Sequence, residues 1–294
     1  MSGSLICSFQ NAVRKDGQYV YSDSLQLNIE EFTSYAILTE GRAGTVLLQN
    51  IAGLRAFSKE NIIYFGGIEE SGKRLSDFVQ YVPDDIICYP DMSVEDYLCG
   101  IALATSVKEV REAGRLCGVF GIDLKEKLLD LTFEKNRLIA MIQALVREPK
   151  LLLIDHPGAF LTQQTSLLLW NEILKKKKKG MAVVVTENEF SELRNPFEKY
   201  IFLEEEEVCF KTYDGAELPV PPKVITMQGS NIRKFLDSKV EILHRDEQML
   251  RFLYKGRDIK KIATMIYHSG CENFSVEELT MEETVFENYE RWLP

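Results

Sequence analysis

An α/β fold with a largely parallel sheet, followed by a small α+β C-terminal domain, is what this sequence predicts, and three observations predict it. Short apolar runs alternate with helical spacing through the first two thirds of the chain, the pattern of strands covered by helices. A break follows over 214–223, where Gly215, Pro219, Pro221 and Pro222 interrupt both periods. Beyond it the order changes to short strands with few helices. We place a first domain at 1–213 and a second at 224–294; a chain of 294 residues, 45% hydrophobic, is long enough to bury a core in each.

In the first domain the runs of strand character are Tyr35 to Leu38, Ile62 to Phe65, Leu151 to Ile154, Ala182 to Val185 and Tyr200 to Leu203. Between Leu128 and Val146, the residues Leu131, Leu138, Ile142, Leu145 and Val146 fit a helix. Lys175 to Lys179 follow a helical stretch, Ser166 to Leu174, and read as a solvated helix end whose cations complement the dipole. In the second domain we expect strand Val224–Met227, helix Asn231–Ser238, strands Val240–Leu243 and Gln248–Tyr254, helix Asp258–His268 and a strand around Asn273–Val276, a βαββαβ order. A last helix begins at Thr280, with Glu283 completing a capping box and Met281, Val285, Tyr289 and Trp292 along one face.

Net charge of -10 argues against a nucleic-acid surface, so no nucleic-acid partner is expected. The six cysteines are scattered without a C-x-x-C pair, which points to reduced thiols rather than a disulfide framework or a metal site. No apolar run approaches membrane-spanning length and no signal peptide is visible. The expectation is a cytoplasmic protein that reaches a membrane only through a partner.

The most informative segment is Ile37 to Leu48. An apolar strand enters a loop containing Gly41 and Gly44 and then a helix, expected over Thr45 to Leu54. This is the setting in which backbone N–H groups and a helix N-terminus converge on phosphate oxygens. Against G-x-x-x-x-G-K-[ST], the first glycine falls on Leu38, the second on Ala43, the lysine on Gly44 and the magnesium-binding hydroxyl on Thr45. Only Thr45 keeps its chemical type. Glu40 adds a carboxylate where a polyanion would sit, and Arg42 offsets it in part. An ordinary strand-to-helix turn using two glycines accounts for the same residues.

Taken together, the segments resemble the ATP-binding subunit of an ABC transporter, a P-loop NTPase-like nucleotide-binding domain. Tyr81-Val82-Pro83-Asp84-Asp85 is similar to the Q-loop, and Met92 to Leu98 to the opening of the helical subdomain. Leu131-Thr132-Phe133-Glu134-Lys135 occupies the place of the LSGGQ signature, Leu151 to Pro157 resembles Walker B, and Glu187 stands where the family has its switch histidine. The tail, Val276 to Phe286, resembles the end of exporter-type subunits with a small C-terminal lobe.

The resemblance implies ATP and magnesium held between two head-to-tail domains, with catalysis mainly by charge placement around the γ-phosphate. Carried over residue by residue, the cofactor-binding positions are Gly41, Arg42, Gly44, Thr45 and Asp155, with Thr45 and Asp155 as the magnesium ligands. The catalytic positions are degenerate: His156 replaces the glutamate, Glu187 the histidine and Asp84 the glutamine. Phe133 and Glu134 replace both signature glycines, and the aromatic that would stack on adenine falls near Asp16, with Tyr19 and Tyr21 as substitutes. The implied protein binds ATP and magnesium weakly or not at all, pairs with a second ATPase chain or itself, and couples to a membrane permease. An active but atypical ATPase and a soluble regulatory or scaffolding protein remain open. The segment Tyr81 to Leu98, with Tyr81, Val82, Ile86, Ile87, Tyr89, Met92 and Tyr97, is the expected permease-facing surface; core packing accounts for any one of them equally well.

Overall fold

The computed structural model describes residues 4–10, 27–39, 41–54, 62–65, 74–102, 106–193, 195–204, 209–229, 240–246, 248–256, 259–269 and 271–289. The chain forms two compact units, Met1–Ala216 and Glu217–Pro294.

The first unit wraps two sheets around one helix. Strands β1 (Leu5–Gln10), β2 (Leu27–Glu30) and β4 (Ile62–Phe65) make an antiparallel sheet ordered β2-β1-β4. The larger sheet contains β3 (Ser34–Thr39), β5 (Val79–Val82), β6 (Leu151–Asp155), β7 (Ala182–Glu187), β8 (Lys199–Glu204) and β9 (Cys209–Asp214), in the order β5-β6-β7-β3-β8-β9. All neighbours in it are parallel except β8 and β9. Strands β3, β6 and β7 are buried along their whole length, as expected of parallel strands covered on both faces.

Helix α1 (Ala43–Ile51) lies between the sheets: every residue in it but Gln49 is buried, and Val46, Leu47, Leu48 and Ile51 share one core with Cys7 and Ile29 of the small sheet and Ile37, Leu153 and Val184 of the large one. A helix apolar all round must be covered all round, and each such aliphatic side chain contributes about 1.5–3 kcal/mol on burial. The helix begins two residues before Thr45 and stops at Ile51, short of the expected Leu54. Gly53 ends it by taking φ 71, while the N–H groups of Gly53 and Leu54 turn back to the carbonyls of Asn50 and Gln49.

Helices α2 (Val94–Asp96), α3 (Val107–Val119), α4 (Phe133–Val146) and α5 (Gln163–Lys177) are capped by Ser93, Ser106, Thr132 and Thr162, each accepting a backbone N–H through its hydroxyl. The lysine run at the end of α5 is not simply a solvated face. Lys176, whose side chain is 7% exposed, pairs with Glu112 at 2.9 Å and Glu148 at 3.3 Å, and Lys175 pairs with Glu172 at 2.6 Å. Arg115 links Glu112 and Glu172, at 2.8 and 2.6 Å.

The Arg115 hydrogen bond, helped by Lys176, holds the Glu112 carboxyl down at about 2 from its ordinary 4.5. A carboxylate depressed in the folded state contributes stability above its unfolded value and loses it as the pH falls through the folded one. Urea denaturation should therefore show stability declining from pH 4.5 toward 2, with a smaller decline in Glu112→Gln; identical profiles would remove Glu112 from the cause.

In the second unit, β10 (Lys223–Gln228), β11 (Val240–Arg245), β12 (Met249–Tyr254) and β13 (Asn273–Glu278) form an antiparallel sheet ordered β11-β12-β10-β13. Alternate residues of central β10 serve two cores: Ile225 and Met227 pack with Leu250, Phe252 and Ile266 of α6 (Ile259–Ser269), and Val224 packs with Leu253 and Leu279. The helix expected at Asn231–Ser238 and the residue Trp292 lie outside the described residues. The capping box of Thr280 and Glu283 opens α7 (Met281–Phe286), which is shorter than its apolar spacing suggested. Glu287 ends it at φ 57, so Tyr289 lies past the helix yet still packs on the Val224 cluster.

Candidate functional site

Three neighbouring strands bring Thr39, Asp155, Thr186 and Glu187 to one edge of the large sheet: register sets Asp155 beside Thr186 and Leu38 beside Glu187. Open α/β sheets bind ligands at this carboxyl edge. Between β3 and α1, Gly41 and Arg42 are exposed, Gly41 turning the chain at φ 77, and Arg42 caps α1 without a side-chain bond. Glu40, Asp16, Tyr19 and Tyr21 lie outside the described residues.

At Gly44, where the resemblance would place a lysine, a Cβ would stand 2.8 Å from the Thr39 methyl and 2.9 Å from the Thr186 methyl. The space where a side chain would leave the backbone is filled. Beside it, Thr45 is buried and donates to Asp155 Oδ1 at 3.1 Å. Asp155 is fully buried and also accepts hydrogen bonds from the Tyr81 hydroxyl, at 3.1 Å on Oδ2, and from the Thr186 hydroxyl. Three hydroxyls thus occupy both oxygens of the carboxylate. Burial, and next the charge of Asp155, keep the proton on the Tyr81 phenol well above its ordinary range.

Arg137, on α4, is buried behind this group. Its Nη2 donates to the carbonyls of Asp155 and His156, at 2.5 and 3.2 Å, while Nε and Nη1 make no hydrogen bond. Burial pulls the guanidinium down, against the opposite pull of Asp84 and Asp155.

His156 and Glu187 are in contact, Nδ1 to Oε2 at 3.1 Å. Glu187 is buried and its other oxygen accepts the Gly158 N–H at 3.4 Å. It is therefore half of a hydrogen-bonded pair. Its hydrogen bond raises the His156 imidazole above its ordinary value, and the charges of Asp155 and Asp84 act in the same direction. His156 sits at φ 45, a left-handed conformation that a non-glycine residue rarely takes. The resemblance places a glutamate at 156 and a histidine at 187, so the two residue types stand here exchanged.

A cavity of about 830 Å³ opens beside the pair, and its wall carries Asp84, Asp85, Glu187 and Glu192 but, among the described residues, no lysine or arginine. Asp84 lies on this wall, partly exposed, and Tyr81 rather than Asp84 makes the contact to Asp155. In the signature region, Glu134 accepts the Thr162 N–H at 2.9 Å, and Phe133 and Phe160, 64% and 50% exposed, lie with ring centroids 6.0 Å apart. Asn136 clamps the Q-loop region by bonding both the N–H and the carbonyl of Ile87.

The expected permease-facing set is divided between core and surface, with Ile87 and Met92 half-buried. Val82, Tyr89 and Tyr97 are buried, Tyr81 turns toward Asp155, and only Ile86 is exposed, at 40%. No helix among the described residues is long and apolar enough to cross a membrane. Thr39, Arg137, Thr186 and Glu192 were not singled out as site residues from sequence, and Tyr81 was singled out for a different role; their contacts depend on distances across strands that no local spacing encodes.

No family model matches the chain. It is 24% identical over 282 residues to the uncharacterized ABC transporter ATP-binding protein YhaQ of Bacillus subtilis, covering 92% of this chain and 94% of that one. It is 30% identical over 196 residues to the molybdate/tungstate import ATP-binding protein WtpC of Thermococcus kodakarensis, spanning 61% of this chain and 57% of WtpC. Among solved structures, an ATP-binding subunit of an ABC transporter superposes with a TM-score of 0.61 at 15% identity, covering 70% of this chain and 90% of that one. CbiO1 from Clostridium perfringens superposes with a TM-score of 0.54 at 20% identity, covering 67% and 84%. The chain has the fold of ABC transporter ATP-binding subunits, and in one relative its sequence likeness to such a protein reaches almost end to end.

Proposed function

We propose that the chain is a pseudo-ATPase: an impaired ABC subunit that pairs with a second ATPase chain or its own copy and couples to a membrane permease. The observation that carries this is Gly44, where the lysine is absent and two threonine methyls fill the start of its space. The remaining ligand positions point the same way. Asp155 and Thr45 are bonded to each other and closed off by Tyr81 and Thr186, so they do not fit a magnesium ion needing open oxygen ligands. The cavity wall beyond them is acidic, which opposes a triphosphate.

The exporter direction rests on the tail of the second unit alone; WtpC is an importer by name, and permease coupling is common ground between the two. A second reading, an active atypical ATPase, is favoured by the His156–Glu187 contact, since a histidine oriented by a carboxylate can serve as a base. Detergent extraction of the tagged protein from its own cells tests the partner. We expect co-purification of a membrane permease; a protein recovered with none would make the soluble scaffold the better account.

A further inference from the structure

We propose that His156, Glu187 and Glu192 form a binding site for a divalent first-row transition ion of the zinc class, at the mouth of the acidic cavity. The inference goes beyond the pseudo-ATPase reading and does not need it. One ligand atom from each residue lies within 4.8 Å of the others, and the three come from separate segments: the end of β6, the end of β7 and the turn Phe190–Glu192. Tetrahedral zinc with N and O ligands at ~2.0–2.2 Å sets its ligands ~3.4 Å apart, so small side-chain rotations close the set. His156 Nδ1 and Glu187 Oε2 are already at 3.1 Å, and a cation would replace the proton they share, which leaves to solvent.

The outer contacts hold the donors in place. The Gly158 N–H bonds the second oxygen of Glu187, and the N–H groups of Asn188 and Glu189 bond Glu192 Oε2 at 3.0 and 3.3 Å, leaving its Oε1 for a metal. The fourth position opens on the cavity, where Asp84 and Asp85 add negative charge. Arg137 is a nearby like charge, outweighed by Asp84, Asp155, Glu187 and Glu192 and with its Nη2 committed to backbone carbonyls. An imidazole among two carboxylates favours zinc, cobalt or manganese over magnesium, which asks for oxygen ligands throughout.

The test uses the full chain, stripped with a chelator, dialysed, and titrated with Zn²⁺ by calorimetry and with Co²⁺ by absorbance. We expect one equivalent of either ion, with visible cobalt bands and no thiolate charge-transfer band. Glu192→Gln and His156→Gln should each weaken binding at least ~10-fold. Glu192 is exposed and Gln keeps an acceptor for its two N–H partners, so that variant should fold as the parent does, checked by circular dichroism. No stoichiometric binding would overturn the proposal, as would binding unchanged in both variants, or a thiolate band showing that Cys88 or Cys99, both exposed, takes the metal instead.

Discussion

Replacing Gly44 with lysine, the residue that ABC ATPases carry at this position, should destabilise the protein by about 1–3 kcal/mol and restore no ATP turnover. A Cβ at 2.8 and 2.9 Å from the Thr39 and Thr186 methyls needs one of two short β-branched side chains to move, and both belong to fully buried strands. The replacement would also leave His156, Glu187 and the residues at 131–135 as they are, and catalytic groups that act as a unit do not recover one at a time. Gly44→Ala isolates the steric part. It should lose stability on urea denaturation, and Thr39→Ser, which removes a methyl and keeps the hydroxyl, should return part of the loss when combined with it. Robust hydrolysis by Gly44→Lys would show that the other departures matter little.

Asp155→Ala should cost more, about 3–5 kcal/mol, because it breaks a buried charged network from one side. The change strands the hydroxyls of Thr45, Tyr81 and Thr186 and removes a carboxylate facing the buried Arg137. Asp155→Asn should fall between, since an amide offers one acceptor oxygen where three donors converge. If Asp155 served only to hold a metal at an open site, its removal would hardly change stability; a loss under about 1 kcal/mol would therefore count against the closed network.

The large sheet was legible because parallel strands buried on both faces appear as unbroken apolar runs, as in Leu151 to Ile154 and Ala182 to Val185. Helix ends were less so. The helix after the loop begins at Ala43 because a backbone cap at Arg42 suffices, and it stops at Ile51, ahead of Gly53, whose positive φ no period reveals. At the site, the residue types at Gly44, His156 and Glu187 could be read as departures from a motif, but not what they do. That His156 and Glu187 hydrogen-bond one another depends on β6 and β7 being adjacent, and that Gly44 has no room depends on two threonines from different strands. The Tyr81 to Tyr97 segment could not be sorted for a related reason: apolar residues look alike in sequence whether they face a partner or a core, and Val82, Tyr89 and Tyr97 face the core while Ile86 is exposed.

Calorimetric titration of the full-length protein with Mg-ATP is the most direct test of the pseudo-ATPase account. A missing lysine, a closed Asp155 and an acidic cavity wall predict no saturable heat below about millimolar ATP, which corresponds to a binding free energy weaker than about -4.1 kcal/mol. Binding at about micromolar affinity, near -8.2 kcal/mol, would contradict the account and favour an ATPase that works through His156 and Glu187.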